Sequence, residues 1–221
     1  MVDLDLRPER RAALVESLTE AMGMAVAGSD VSLRGSLATG EADQFSDIDL
    51  LWVVPGDRFP AAIACIPDTL AAVSPVSSVR SDPDFQGSRN RRLLFIQLAD
   101  LPLFWRVDLE VRCQSAPEVK STVPIKTPVE WSAAASAAAN AAATIKAVSR
   151  GRWPEARGLL ERGFDRIGET LDPVESWKDA VVRLARSSAA LDANVATFRQ
   201  EVAELAVVLL TRRGSPNNPL G

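Results

Sequence analysis

The sequence predicts an α+β fold, in which a mixed β-sheet with flanking helices over residues 1–126 is followed by a helical bundle over residues 127–213. Two observations support this prediction. The first 126 residues contain short apolar runs separated by turns rich in proline and glycine, which is typical of strands. From residue 129 onward the apolar residues follow helical spacing, and the connections are short.

The sheet region opens with a helix and a short strand. A helix is predicted over residues 7–24, because the apolar residues there recur at helical spacing. The apolar run 31–33 predicts a short strand that ends before Gly35, and a loop follows over residues 37–46.

The next two segments are a strand and a helical stretch. Residues 47–54 predict a strand that is closed by the turn pair Pro55-Gly56. Residues 57–73 have helical character but contain two prolines, so we expect two short helices there instead of one.

Three more strands are predicted before the helical region, over residues 76–80, 92–98 and 103–111. The turn 99–102 between the last two predicts an antiparallel hairpin. A linker punctuated by prolines then extends to residue 128.

Four helices are predicted after the linker, and the first is the alanine-rich stretch 129–149. Helix starts are indicated by prolines at first helical positions, by a capping box and by an aspartate cap. These signals are Pro154, Pro173, the pair Asp172 and Glu175, and Asp192. The tail 214–221 is predicted to be disordered.

The composition excludes several kinds of active site. The chain of 221 residues has no histidine and no tyrosine, which rules out Ser-His-Asp and Cys-His catalysis, imidazole bases and most zinc sites. Any catalysis must therefore use Asp, Glu, Lys, Arg, Ser and bound cations. Cys65 and Cys113 are too few for a disulfide framework and lack metal-ligand spacing, so we expect a reduced, cytoplasmic protein.

Charge and hydropathy restrict the partners. The net charge is −4 and the pI is about 5.1, whereas proteins that bind extended nucleic acid usually carry a basic excess. We therefore do not expect extended nucleic acid as a substrate. No apolar run reaches about 18 residues, so no membrane-spanning segment is expected. One local basic cluster fits either a solvated loop face or a phosphate clamp; it contains Arg80, Arg89, Arg91 and Arg92.

Asp47 and Asp49 are the first candidate functional residues. Side chains alternate along a strand, so both carboxylates point the same way, with their backbones roughly 7 Å apart. Two adjacent carboxylates repel each other unless a cation neutralises them, and Mg²⁺ commonly bridges carboxylates to phosphates. The preceding Gly35-Ser36 pair permits a tight turn whose N–H groups and hydroxyl can bind phosphate oxygens. A solvated acid pair and an ordinary turn are the alternatives.

Asp108 and Glu110 are the next candidates, because they share the less apolar face of the predicted strand 103–111. Carboxylates beside arginines on a strand fit cross-strand ion pairs, a third metal ligand or a general base. Because of the earlier acid pair, we favour Asp108 as metal ligand or base and keep Glu110 as the second candidate for the base.

A triphosphate also needs cationic side chains. Arg34, Lys126 and Lys146 are candidates, and each also fits an ordinary surface charge. Three tryptophans could stack on a base or belong to the protein core; they are Trp131, Trp153 and Trp177.

Leu33-Arg-Gly-Ser36, followed after ten residues by Asp47-Ile-Asp49-Leu, resembles the signature of the DNA-polymerase-β-like nucleotidyltransferase superfamily. A third acid on a later strand is part of that pattern, and Asp108 matches it. The resemblance covers roughly residues 31–111, and the helical half carries no diagnostic motif. The two-part architecture is similar to that of the antibiotic nucleotidyltransferases that modify aminoglycosides and lincosamides.

This resemblance implies an enzyme that moves a nucleoside monophosphate from a nucleoside triphosphate, with ATP the first candidate, to a hydroxyl group and releases pyrophosphate. It implies that Asp47, Asp49 and Asp108 hold Mg²⁺, and that Gly35 and Ser36 contact the phosphates. We expect a small-molecule acceptor, with an aminoglycoside-like antibiotic as one candidate. The alternatives are nucleotidylation of a protein or a tRNA end, and nucleotide binding without turnover.

Overall fold

The structure is a computed structural model that describes residues 3–114 and 132–211, which form two compact units. Several predictions lie outside the described residues and stay predictions: the boundary at residue 126, the proline-rich linker, Lys126, Trp131 and the tail 214–221. None of the helices in the described ranges is long and apolar enough to cross a membrane.

The first unit is a five-stranded sheet with helices. Its elements in chain order are α1 Pro8–Ala25, β1 Asp30–Leu33, α2 Gly35–Thr39, β2 Ile48–Val54, α3 Phe59–Ala71, β3 Val76–Ser81, β4 Arg91–Leu98 and β5 Val107–Cys113. Two 3₁₀ turns, Gly56–Arg58 and Pro83–Phe85, lie between them.

The strand order is β1-β2-β5-β4-β3, in which β2 and β5 are parallel and every other pair is antiparallel. This confirms the predicted mixed sheet and the antiparallel pairing of β4 with β5. The sequence-distant strands β2 and β5 therefore lie next to each other at the centre of the sheet. Residues far apart in the chain become neighbours there.

One face of the sheet carries the core of this unit. Alternate residues of the two central strands are fully or almost fully buried, as the alternating pattern predicts: Ile48, Leu50, Trp52, Val54, Val107, Leu109 and Val111. Helices α1 and α3 pack on each other and bury Leu14, Leu18, Met22, Ile66 and Leu70. The side chains on the opposite face of β2 and β5 are only partly buried.

Two local predictions in this unit are wrong. Residues 59–71 form a single helix that runs through Pro67, because the buried apolar residues around it hold the helix in place despite one missing N–H donor. The strand predicted from residue 103 begins at Val107 instead. Leu103, Phe104 and Trp105 are consecutively buried in a turn, so they do not alternate between two faces.

The second unit contains the four predicted helices, α4 Ala133–Ser149, α5 Trp153–Arg166, α6 Trp177–Leu191 and α7 Ala196–Leu210. Helix α4 packs against the other three, and its alanine face is buried. Together with the sheet unit, this confirms the predicted α+β class.

The N-terminal cap of α6 differs from the prediction. Ser176, not Asp172, is the N-cap, and its hydroxyl oxygen accepts a hydrogen bond from the Asp179 N–H at 3.1 Å. Asp172 and Pro173 lie in the turn before the helix, where the Asp172 carboxylate accepts from the Val174 N–H. Asp192 caps the 3₁₀ turn Ala193–Val195, which leads into α7.

Candidate active site

Asp49 and Asp108 are register partners on the parallel strands β2 and β5. Neighbouring strands lie about 4.8 Å apart, and paired residues of a parallel ladder direct their side chains to the same face. Both aspartates are on the face opposite the core, where they are partly exposed. The sheet thus brings together two carboxylates that are far apart in the sequence.

Asp47 lies one residue before β2 and reaches the same place through Arg106. The Ile48 N–H donates to the Arg106 carbonyl at 2.9 Å, which aligns the two strand entrances. The Arg106 guanidinium binds Asp108 with both of its arms, Nε to Oδ1 at 2.5 Å and Nη2 to Oδ2 at 2.6 Å. Its Nη2 also lies 3.9 Å from Asp47 Oδ2. One guanidinium therefore links two of the predicted acids.

The pKa of Arg106 reflects this arrangement. Burial lowers the pKa of the guanidinium, but the Asp108, Asp47 and Asp49 carboxylates outweigh burial and raise it above its usual value. Arg106 is a candidate functional residue that the sequence analysis did not single out. Its signal was its position two residues before Asp108, at the spacing of one strand face.

Gly35 lies against the Asp49 carboxylate. It opens α2 with a φ of +54°, and a Cβ at this position would overlap Asp49 Oδ2. The Arg34 N–H donates to the Asp49 carbonyl at 2.8 Å, which fixes the turn to β2. The Gly-Ser turn therefore lies beside the Asp49 carboxylate, and a side chain at position 35 would displace that carboxylate.

The carboxylates have the chemistry of a Mg²⁺ site, because they offer oxygen ligands from adjacent strands, and a cationic guanidinium already lies among them. As the side chains stand, no group of three or more His, Cys, Asp or Glu residues in ranges 3–114 and 132–211 is arranged to hold a metal ion. In this arrangement the Arg106 guanidinium engages both oxygens of Asp108.

Glu110 has a different environment from Asp108. Arg91 Nε and Arg112 Nε both donate to its Oε1, at 2.6 and 2.7 Å. Burial raises the pKa of Glu110, but the two guanidiniums outweigh burial, so its pKa lies below the usual value. A carboxylate held ionised in this way is a weak proton acceptor. Both candidate bases are thus bound to guanidiniums, Glu110 to Arg91 and Arg112, and Asp108 to Arg106.

The remaining cationic and aromatic candidates lie on several different elements. Arg34 is half-exposed and lies 4.0 Å from Glu110 Oε2. Lys146 is buried in α4. The rings of Trp153 and Trp177 pack on each other, with centroids 5.9 Å apart.

The basic cluster of the sequence is not a uniformly solvated face. Arg92 is fully buried and donates to the carbonyls of Phe85 and Ser88. Arg91 pairs with Glu110, and the Arg80 guanidinium lies 5.2 Å from the centre of the Phe95 ring.

Residues 15–121 match the model of a family described as nucleotidyltransferase domain. This match, over just under half of the chain, supports the polymerase-β-like superfamily that the motif resembles. The match includes Gly35, Ser36, Asp47, Asp49 and Asp108, and it ends before the helical unit.

One solved structure similar to this chain is titled the non canonical Poly(A) polymerase complex GLD-2 - GLD-3. The identity is 15% and the TM-score is 0.38, and the alignment covers 82% of this chain and 52% of that chain. The chain therefore spans about half the length of the matched chain. Among curated proteins, none matches it.

Proposed function

We propose that this chain is a Mg²⁺-dependent enzyme that transfers a nucleoside monophosphate from a nucleoside triphosphate, ATP foremost, to a hydroxyl of a small molecule. The observation that carries the proposal is the register pairing of Asp49 with Asp108, directly beside the Gly35 turn. Both cysteines are free, which supports a reducing compartment such as the cytoplasm.

In this proposal Asp47, Asp49 and Asp108 hold the metal, and Gly35 and Ser36 face the phosphates. Bound Mg²⁺ would neutralise charge on the triphosphate and on the departing pyrophosphate. In the described part of the chain the Ser36 hydroxyl makes no hydrogen bond, so it is free to donate to a phosphate oxygen. The missing side chain of Gly35 lets the phosphates come close to the backbone.

The chemical step is an in-line displacement. The acceptor hydroxyl oxygen attacks the α-phosphorus, and its proton passes to the Asp108 carboxylate. The bond from the α-phosphorus to the bridging oxygen breaks, and pyrophosphate leaves. Because positioning and charge provide most of the catalysis in phosphoryl transfer, the protein needs no covalent nucleophile. Arg106 must first release Asp108 for this step to occur.

One observation favours a second candidate function. Arg106 holds Asp108 with two short hydrogen bonds, and a chain in which that contact persists would bind nucleotide without turnover. Nucleotidylation of a protein or a tRNA end remains an alternative acceptor class, and an aminoglycoside remains one small-molecule candidate. The measurements below separate turnover from binding.

The Asp49→Asn substitution tests the proposal. Wild-type protein should bind Mg²⁺–ATP, and the variant should bind it at least about a hundredfold more weakly, because one carboxylate ligand of the cation is lost. Calorimetric titration with Mg²⁺–ATP measures the affinity, and thermal unfolding checks that the variant is folded. The matched control is Asp57→Asn, which changes an exposed acid outside the acid cluster.

Turnover is measured as pyrophosphate release with ATP, CTP, GTP and UTP against a panel of hydroxyl acceptors that includes aminoglycosides, a tRNA and protein substrates. Release that depends on acceptor and on Mg²⁺, and is absent in Asp49→Asn, supports the enzyme. Equal Mg²⁺–ATP affinity in Asp49→Asn and wild type would rule out the site assignment. Tight binding without pyrophosphate release would favour the non-catalytic candidate.

A further inference from the structure

Three arginines surround a single carboxylate, that of Glu110. Arg91 and Arg112 donate to the same oxygen, Oε1, and Arg34 Nη1 lies 4.0 Å from Oε2. The Glu110 side chain is 12% exposed, whereas those of Arg34 and Arg112 are 49% and 42% exposed. Glu110 is therefore the inner anchor of a group whose arginines reach the surface.

The three arginines come from separate elements, so the fold itself assembles them. Arg91 begins β4 and is the register partner of Arg112 on β5, while Arg34 belongs to the turn between β1 and α2. The Arg91 guanidinium also lies over the Phe85 ring, 3.9 Å from its centroid. A guanidinium held by an ion pair and a ring loses little further freedom when it binds a ligand.

The group has excess positive charge and unused donors. Three guanidiniums lie around the one carboxylate of Glu110, so the group carries excess positive charge. Arg112 uses only Nε on Glu110, and within residues 3–114 and 132–211 its terminal nitrogens make no hydrogen bond. The same holds for the Arg34 side chain, whose ion pair with Glu110 is long.

The group of arginines around Glu110 lies next to the candidate acids Asp49 and Asp108. Glu110 follows Asp108 by two residues on the same face of β5, so their backbones are roughly 7 Å apart. Arg34 directly precedes Gly35, whose turn lies against Asp49. An anion held by the arginines would therefore lie beside the proposed metal site.

We propose that Arg34, Arg91 and Arg112, anchored by Glu110, form a receptor for a phosphoryl group. Guanidinium donors that converge from three elements suit a tetrahedral oxyanion, whereas a planar carboxylate is satisfied by one guanidinium fork. Two sources share this chemistry, the terminal phosphates of the nucleoside triphosphate and a phosphate carried by the acceptor. We infer the receptor from the arrangement of the arginines, and only its role in nucleotidyl transfer rests on the proposed function.

The receptor also restricts the charge that the acceptor molecule can carry. A polycation such as an aminoglycoside would meet these arginines beside the acids, and like charges repel. If the receptor binds the acceptor, we infer a phosphorylated small molecule in place of a polycation.

The test is calorimetric titration of the full chain with inorganic phosphate and with tripolyphosphate, in EDTA, so that no metal contributes. Wild type should show saturable binding. The double variant Arg34→Gln/Arg112→Gln should bind at least about tenfold more weakly, because charge-assisted hydrogen bonds are lost. Arg7→Gln, which removes an equal charge from an exposed arginine paired only with Asp5 in the described chain, should bind as wild type does.

A second titration identifies the source of the phosphoryl group. If phosphate still binds saturably to protein loaded with Mg²⁺–ATP, the receptor serves the acceptor. If Mg²⁺–ATP excludes phosphate and the double variant weakens ATP affinity, the receptor holds the triphosphate. Both outcomes support a phosphoryl receptor.

No saturable binding by wild type, or equal binding by wild type and a double variant shown to be folded by thermal unfolding, would overturn the receptor. If the double variant is unfolded, Arg112→Lys replaces it, and it should weaken phosphate binding because an ammonium cannot offer the guanidinium fork. The Asp49→Asn variant should retain phosphate binding in EDTA while losing Mg²⁺–ATP binding. The two proposals can therefore fail independently.

Discussion

At the scale of single residues, the contact between Gly35 and Asp49 links the backbone of one turn to a carboxylate of the next strand. The φ of +54° favours glycine, and a Cβ would occupy space that the Asp49 carboxylate already fills. Gly40 offers a matched comparison, because its φ is +75° but nothing lies within 4 Å of a Cβ built there. A substitution at Gly40 therefore introduces backbone strain alone, whereas a substitution at Gly35 introduces the strain and also takes up space beside Asp49.

We predict that Gly35→Ala weakens Mg²⁺–ATP binding at least about tenfold, because Asp49 must move away from the added methyl group. Gly40→Ala should cost about 1 kcal/mol of unfolding free energy from the left-handed backbone and leave binding unchanged. Calorimetry and urea unfolding measure the two effects. Equal binding by Gly35→Ala and wild type would contradict the assigned position of the carboxylate.

At the proposed site, Arg106 and a divalent cation would compete for the Asp108 carboxylate. We predict that Arg106→Gln lowers the unfolding free energy by about 2 kcal/mol without metal, because Asp108 loses two charge-assisted hydrogen bonds. The same change should raise Mg²⁺ affinity about tenfold, since a competing cation is removed. Thermal unfolding with and without Mg²⁺ measures both effects.

The control for Arg106 is Arg80→Gln, which removes the other arginine that lies over the Phe95 ring. It should leave the response of the melting temperature to Mg²⁺ as in wild type. An Arg106→Gln variant that gains no more stability from Mg²⁺ than wild type would show that the guanidinium and the metal do not exclude each other.

At the scale of elements, the helical unit depends on one close helix crossing. Gly163 in α5 faces Leu184 of α6 and Asn140 of α4, and a Cβ there would lie 2.5 Å from Leu184 Cδ2. Gly158 is in the same helix, but a Cβ there would meet only the mobile end of Arg162, at 3.1 Å from Nη1. Helix propensity favours alanine equally at both positions.

We therefore predict that the two glycine-to-alanine substitutions in α5 change the unfolding free energy in opposite directions. Gly158→Ala should raise the unfolding free energy by about 0.5–1 kcal/mol, whereas Gly163→Ala should lower it by about 1–3 kcal/mol through overpacking. Urea midpoints measure both. Stabilisation by Gly163→Ala would indicate that the helices do not approach as closely as described.

At the scale of the whole molecule, the absence of histidine shapes the response to pH. No side chain with an ordinary pKa between about 5.5 and 7 is present, so stability should be flat across that range. Within residues 3–114 and 132–211, carboxylates with lowered pKa values include Asp5, at about 2 because Arg7 donates to it; Glu110, where two guanidiniums outweigh burial; and Asp179, to which Ser176 donates.

A carboxylate whose pKa is lower in the folded state binds fewer protons there than it does in the unfolded chain. Its contribution to the unfolding free energy is therefore fully present above the unfolded pKa of about 4, and it is lost as the pH falls through the folded pKa. We predict that Glu110→Gln costs about 1–3 kcal/mol of unfolding free energy at pH 7 and progressively less as the pH falls below the unfolded pKa. Urea midpoints from pH 3 to 7 measure the difference. The matched control is Glu161→Gln, whose exposed pair with Arg157 should contribute little at any pH.

Some features followed from the sequence alone, because they depend on neighbours in the chain. Alternating apolar residues predicted β2 and β4, and helical spacing predicted α1 and the helices of the second unit. The Gly35-Ser36 turn and the Asp47–Asp49 pair were recognisable because their spacing is local. The superfamily was predicted from the same residues, and the match over residues 15–121 confirms it.

The tertiary structure decided the features that depend on packing between distant segments. The pairing of Asp49 with Asp108 needs the parallel register of β2 and β5, which no local pattern specifies. The start of β5 at Val107 and the passage of α3 through Pro67 were set by burial, which outweighed local propensity. Arg106 on Asp108, and the arginines around Glu110, exist only because the sheet brings separate strands together, since charge pairing requires proximity in space.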